Sequence, residues 1–186
     1  LTRGDDIRNA ATQFRQRLGV GLAAQEICDS ALGGFRLWRD SAEALGFFVF
    51  QAIHVSVAEM RGCALPDRFA PVALINSKDA DVAKSFTLIH ELAHLLLGET
   101  AITGSDTDFA MSPDNPTERF CNRFAAEVLV PNADFTRLVP KNWMERENEF
   151  LRTASRKYWV SKAVIAYRLV DAGFADRDWL KNKWAK

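Results

Sequence analysis

The sequence predicts an α+β fold in which a small mixed or antiparallel sheet is flanked by N- and C-terminal helices. Apolar residues recur at helical spacing through most of the first 45 residues. Short β-branched and aromatic segments follow up to Asn76, punctuated by Gly62, Pro66 and Pro71. Helical spacing then returns and dominates the rest of the chain. Helices, a compact sheet and further helices are typical of an α+β domain.

The composition is that of an ordinary globular protein. The chain has 186 residues, 48% of them hydrophobic, and its 24 basic side chains balance 24 acidic ones. This zero net charge argues against a wholly cationic nucleic-acid binder, and the hydrophobic content excludes disorder as the main description. No apolar run reaches the ~18 residues of a membrane span, so we expect no membrane association. Three widely spaced cysteines fit a reducing, cytoplasmic location.

Three helices are predicted before the sheet. Residues 5–18 carry apolar side chains on one face, with Asp5 or Asp6 as the N-cap and Gly19 at the end. Residues 23–32 and 35–45 form two more short helices, which we expect Gly33 and Gly34 to separate. The predicted strands cover residues 47–50, 54–58, 62–65 and 72–75.

The second half of the chain is predicted to be helical except for one loop. An apolar helix over residues 84–97 stops at Gly98, and the polar residues 99–116 form a surface loop. Another helix begins at Asn115-Pro116 and runs to Pro131, and helical spacing resumes at Trp143. We expect residues 1–139 to form the main domain and residues 140–186 to form a helical extension that packs on it.

The two parts differ in charge. Residues 1–139 carry 13 basic and 18 acidic side chains, whereas residues 140–186 carry 11 basic and 6 acidic ones. The basic extension could therefore dock an acidic or nucleic-acid-bound partner. Residues 153–173 resemble a helix-turn-helix in outline, although a helical pair that packs on the core is the favoured interpretation. Four tryptophans of the extension are predicted packing anchors: Trp143, Trp159, Trp179 and Trp184.

The motif that carries chemistry is His90-Glu91-Leu92-Ala93-His94, an H-E-x-x-H within a predicted helix. Residues four apart lie on one helical face, so both imidazoles can bind one metal ion. Glu91 lies about 100° around the helix, where it can act as a general base without being a ligand. In such a site the ion activates water for attack on a carbonyl group. Two core histidines are the disfavoured alternative, because clustered ionisable groups in apolar surroundings need a strong partner.

The candidates for the third metal ligand can be reduced by elimination. An extended H-E-x-x-H-x-x-G-x-x-H would need glycine and histidine where the chain has Leu97 and Thr100. The remaining histidine, His54, belongs to the predicted sheet region and is expected to be a strand or surface residue. A carboxylate on the following helix is the remaining pattern, and it gives a site of two histidines and one glutamate.

Glu118 is the better candidate of the two glutamates on that helix. At 100° per residue Glu118 lies at the edge of the apolar arc. Glu127 falls on the polar face, where Arg123 is its expected salt-bridge partner. The alternative role for Glu118 is a capping box with Asn115.

Two neighbouring residues complete the predicted site. Asn122, one turn beyond Glu118, can orient a ligand through a hydrogen bond. Cys121 is expected to be a packed thiol rather than a ligand. Two imidazoles and a carboxylate suit Zn²⁺ best, and Mn²⁺ or Fe²⁺ can occupy similar ligands.

Two segments resemble the ImmA/IrrE family of metallo-endopeptidases. Residues 86–97, FTLIHELAHLLL, are similar to the family's metal-binding helix, and residues 118–131, ERFCNRFAAEVLVP, look like its second signature. Residues 45–76 also resemble the strands before the motif. One departure is Cys121, where the family more often has alanine.

This resemblance implies a zincin-like fold and a cytoplasmic prokaryotic peptidase. The implied site has His90, His94 and Glu118 as metal ligands and Glu91 as the catalytic base. Such proteins typically cut a helix-turn-helix repressor, which releases stress-response or mobile-element genes. They are often fused to a DNA-binding domain of that kind, and because the chain begins with Leu1 we expect room for one upstream.

Two other functions are weighed against this one. The chain could be a non-catalytic metal-binding regulator that binds DNA or protein, or an inactive peptidase-like scaffold. Glu91 disfavours the regulator, because a purely structural metal site needs no base. For a peptidase, an extended substrate is expected to pair with a sheet edge beside the metal helix. Residues 72–76 form that edge if their strand is external, and an internal strand is the equal alternative.

Overall fold

The computed structural model describes residues 1–104 and 115–184, with the backbone alone at Trp184. This part is α+β, as predicted, and contains nine helices and a four-stranded sheet. The helices are α1 (Ile7–Leu18), α2 (Leu22–Glu26), α3 (Ala31–Ala44), α4 (Asp81–Leu97), α5 (Pro116–Leu129), α6 (Asn132–Leu138), α7 (Glu147–Tyr158), α8 (Lys162–Asp171) and α9 (Arg177–Trp184). The strands are β1 (Phe48–Ala52), β2 (Gly62–Leu65), β3 (Val72–Asn76) and β4 (Ala101–Thr103).

The predicted break between the second and third helices is wrong. Helix α2 ends early, and α3 runs without interruption through Gly33 and Gly34. The helix begins at Ser30, whose hydroxyl oxygen accepts a hydrogen bond from the Gly33 N–H at 3.1 Å. A Cβ at Gly34 would lie 3.0 Å from the Cβ of Trp159. This glycine therefore allows α3 to pack closely against the chain after α7, rather than ending the helix.

The sheet has the strand order β1-β3-β2-β4. Strand β3 pairs with β1 in parallel and with β2 antiparallel, so residues 72–76 form an internal strand and not an edge. Strand β4 pairs antiparallel with β2 and lies within the segment predicted to be a loop. Residues 105–114 of that predicted loop lie outside the described residues.

The predicted strand over residues 54–58 is wrong as well. This segment belongs to the turn-rich connection between β1 and β2. The Ser56 N–H and hydroxyl both donate to the Glu59 carboxylate, at 3.0 and 2.7 Å. Local side-chain hydrogen bonds of this kind favour turns, and they outweigh the strand preference of the neighbouring valines.

Helix α4 is the centre of the core. It packs against α3, α5 and the inner face of the sheet, and α1 packs against α5 and α3. The inner face carries Val49, Ala64, Ala73 and Ile75, all of them buried. Since α4 is buried along most of its length, its nearly continuous apolar sequence is explained by packing on several sides.

The C-terminal helices pack on this core. Helix α8 begins at the N-cap Ser161 and buries Val164, Ile165 and Leu169 completely. Its apolar face is therefore committed to packing, and the choice between the two interpretations of residues 153–173 stays a prediction. Trp143 is buried, and Trp159 and Trp179 are half-buried. The division of the chain at residue 139 stays a prediction.

Among the described helices, none combines the length and the hydropathy that crossing a lipid bilayer requires.

Candidate active site

Helix α4 presents His90 and His94 side by side. The two residues are one turn apart and are 1% and 2% exposed. Their Nε2 atoms lie 3.1 Å from each other, so both imidazoles point to the same place. The helix ends one turn later at Gly98, which has the positive φ of 72° typical of a C-terminal glycine.

Helix α5 brings Glu118 to the same place. Its first turn is capped by Asn115, whose side-chain oxygen accepts hydrogen bonds from the N–H groups of Thr117 and Glu118, at 2.9 and 3.3 Å. The Glu118 carboxylate points between the two imidazoles, with Oε2 at 3.1 Å from His90 Nε2 and Oε1 at 3.1 Å from His94 Nε2. This position favours the ligand role over the capping box.

The spacing of these three side chains fits a metal ion. One ligand atom from each residue can be chosen so that all lie within 4.8 Å of one another. Tetrahedral ligands at the usual zinc distances are roughly 3.3 Å apart, close to the observed contacts. Glu118 Oε2 is buried and, among the described residues, has no hydrogen-bond partner despite its closeness to His90. A shared cation would satisfy that oxygen and both Nε2 atoms. The donor set therefore fits the predicted ion.

Glu91 lies beside this group but is not part of it. Its carboxylate is fully buried and is held against the backbone of β2. A Cβ at Gly62 would overlap Glu91 Oε1 and would lie 2.9 Å from Glu91 Cδ and 2.7 Å from Thr87 Cγ2. Glycine is therefore the one residue that lets β2 approach so closely. The sequence predicts Gly62 only as a residue that bounds a strand. An isolated glycine in a strand pattern can also indicate that another segment packs closely against the strand backbone.

The electrostatics of the two glutamates differ. Burial raises the pKa of Glu91, and this is opposed by the nearby His90, the Thr103 hydroxyl and His94. Close polar contacts with His90 and His94 hold the pKa of Glu118 well below its usual range. Glu118 therefore keeps its negative charge, as a ligand must, whereas burial disfavours the charged form of Glu91.

The other predicted residues are distributed as follows. Asn122 is buried one turn after Glu118, and its Oδ1 has no hydrogen-bond partner among the described residues, so its orienting role stays a prediction. Cys121 is fully buried, and burial raises the pKa of its thiol, as expected for a packed cysteine. His54 is exposed in the β1–β2 connection.

The prediction for Glu127 is wrong. This residue is buried, and its carboxylate accepts hydrogen bonds from Arg168 of α8 at 2.6 Å and from the Asn132 N–H at 2.9 Å. The expected partner Arg123 lies instead 3.5 Å from Asp171. Arg168 of helix α8 reaches Glu127 near the end of α5, on the side that the helical wheel assigned to solvent, and a single-helix argument does not include this contact.

Comparison with known proteins agrees with this geometry. A family model described as the IrrE N-terminal-like domain, peptidase family M78, matches residues 51–170. The matched region contains the H-E-x-x-H helix and all of α5. A comparison with curated proteins gives no significant match.

Proposed function

Because the chain belongs to the IrrE N-terminal-like family of metallopeptidases, we propose that it is a zinc-dependent endopeptidase that cleaves a helix-turn-helix transcriptional repressor. The observation that carries this proposal is the convergence of His90, His94 and Glu118 beside the buried carboxylate of Glu91. The repressor as substrate rests on the sequence resemblance. Its cleavage would release stress-response or mobile-element genes in the cytoplasm of a prokaryote.

The proposed roles follow from the positions of the side chains. His90, His94 and Glu118 would hold the ion, and bound zinc lowers the pKa of a water molecule to about 7. Glu91 accepts a proton from the attacking water and then delivers it to the nitrogen of the leaving amine. The β2 backbone at Gly62 fixes the direction of the Glu91 carboxylate. Two imidazoles and one carboxylate with an open fourth position are a donor set of catalytic zinc sites.

The proposed path of the substrate runs along β4. Among the described strands, β4 is the edge on the side of Gly62, and its Thr103 is the register partner of that glycine. An extended peptide that pairs with this edge would bring its carbonyl groups close to Glu91. Strand β3 is unsuited to this role because both of its edges are already paired.

The test is direct cleavage of a repressor. The zinc-loaded chain should convert a helix-turn-helix repressor encoded beside it into discrete fragments, which mass spectrometry would assign to one bond. A chelator should stop the reaction, and added zinc should restore it. If the repressor stayed intact with zinc, manganese and iron each supplied in turn, the proposed substrate would be contradicted. The metal content of the same samples would show that the protein had bound the ion and that the lack of cleavage was not due to an empty site.

Gly62→Ala should lower turnover without preventing metal binding. The added methyl group would displace the Glu91 carboxylate, and a shift of about 1 Å in a catalytic group can cost on the order of a hundredfold in rate. We expect kcat to fall tenfold or more, while the metal content and KM change little. Gly104→Ala is the matched control, because no atom of the described residues lies within 4 Å of a Cβ placed there. Equal kcat values for the two variants would contradict the positioning role of Gly62.

A further inference from the structure

The sheet face opposite α4 is apolar across all four strands. In register, Val72 of β3 pairs with Phe48 and with Leu65, while Leu74 pairs with Phe50 and with Cys63. Cys63 is in turn the partner of Ile102 in β4. Residues paired in register share a face of the sheet. We call the following six side chains the outer sheet face: Phe48, Phe50, Leu65, Val72, Leu74 and Ile102.

This outer sheet face is accessible to solvent. Phe48, Phe50, Leu65 and Ile102 are 47, 54, 49 and 73% exposed, whereas the residues of the inner face are mostly buried. Phe69, in the β2–β3 turn, is 85% exposed and adds to the apolar surface. Together these side chains expose on the order of 600 Å². That area reaches the upper end of the largest apolar patch on a typical monomer, about 300–600 Å².

We propose that the outer sheet face is a two-fold interface with a second copy of this chain. None of its six side chains is charged, so the face can meet its own copy without placing like charges together. Two sheets pack face to face about 10 Å apart through such apolar side chains. A stable interface buries about 800 Å² on each partner, and the exposed apolar side chains alone supply roughly three quarters of that area.

The charges next to the face fit the rim of such an interface. Asp67 and Arg68 lie in the β2–β3 turn, and the Arg68 guanidinium lies over the Phe69 ring, 5.6 Å from its centroid. Both residues are exposed, as rim residues are.

The inference does not depend on the proposed catalytic activity. Glu91 contacts the sheet at Gly62 from the α4 side, which is the opposite side from the outer sheet face. A second copy docked on the outer face would therefore leave the metal-binding group on the far side of each sheet. Loss of the dimer and loss of peptidase activity are separate outcomes.

The test is the mass of the full chain in solution. Sedimentation equilibrium at tens of micromolar should give twice the 20.9 kDa of a single chain. Phe50→Glu and Ile102→Glu should each return the mass to that of one chain, because either variant buries two uncompensated carboxylates at the two-fold interface. Ile27→Glu is the matched control, since Ile27 is 83% exposed outside the sheet, and it should remain dimeric.

Circular dichroism would establish that each variant is folded. A wild-type mass of one chain throughout this concentration range would overturn the inference. Persistence of the dimer in either Phe50→Glu or Ile102→Glu would overturn it as well, because the interface would then lie elsewhere.

Discussion

Glu91→Gln should abolish cleavage while leaving the chain folded and loaded with metal. Glutamine has nearly the same size as glutamate, so it fits the space between α4 and Gly62, but its amide cannot accept the proton of the attacking water. General acid–base catalysis contributes typically 10²–10⁴-fold to a rate, and we expect kcat to fall by about that factor. The measurement is single-turnover cleavage of the repressor, with the metal content determined on the same preparation.

Two controls separate the proposed base from a ligand. Glu43→Gln, an exposed change on α3, should leave both the rate and the metal content unaltered. His94→Ala should lose metal and activity together, because it removes one of three converging donors. If Glu91→Gln lost the metal as His94→Ala does, Glu91 would be a ligand. If it cleaved at the wild-type rate, another group would be the base.

The helix that carries His90 and His94 could be predicted because its signal is a short sequence pattern. The spacing of His90 and His94 depends only on the period of one helix, and the sequence placed that helix within a few residues of α4. The candidate Glu118 followed from the apolar arc of α5, which is also a property of a single helix. In the folded chain this arc faces α4, and the carboxylate at its edge meets both imidazoles.

The features that escaped prediction depend on contacts between distant segments. Strand β4 has only three residues and exists through its pairing with β2, about 40 positions earlier in the chain. The role of Gly62 depends on the approach of α4 to β2, and that of Gly34 depends on Trp159. Each of these glycines looks like a turn signal when only its neighbours in sequence are considered.

Arg168→Met should strongly destabilise the fold, although Arg168 lies far along the chain from the metal-binding motif. The Arg168 side chain is 1% exposed and donates to Glu127 of α5 at 2.6 Å and to Asp171 at 2.7 Å. Methionine would fill much of the space but would leave the buried Glu127 carboxylate without its cation. Removing one partner of a buried ion pair costs about 3–5 kcal/mol in the free energy of unfolding. Urea denaturation of the metal-saturated chain would measure this loss.

A second variant identifies the buried charge as the cause. Glu127→Gln combined with Arg168→Met should recover most of the lost stability, because glutamine keeps an oxygen for the Asn132 N–H and leaves no charge in the core. Arg123→Met is the matched control on the surface. Its side chain is 52% exposed and lies 3.5 Å from Asp171, so its loss should cost less than about 1 kcal/mol. Two outcomes would contradict a stabilising role for the Glu127–Arg168 pair between α8 and the helix that carries Glu118. One is an equal loss of unfolding free energy in Arg123→Met and Arg168→Met. The other is a double variant that is no more stable than Arg168→Met.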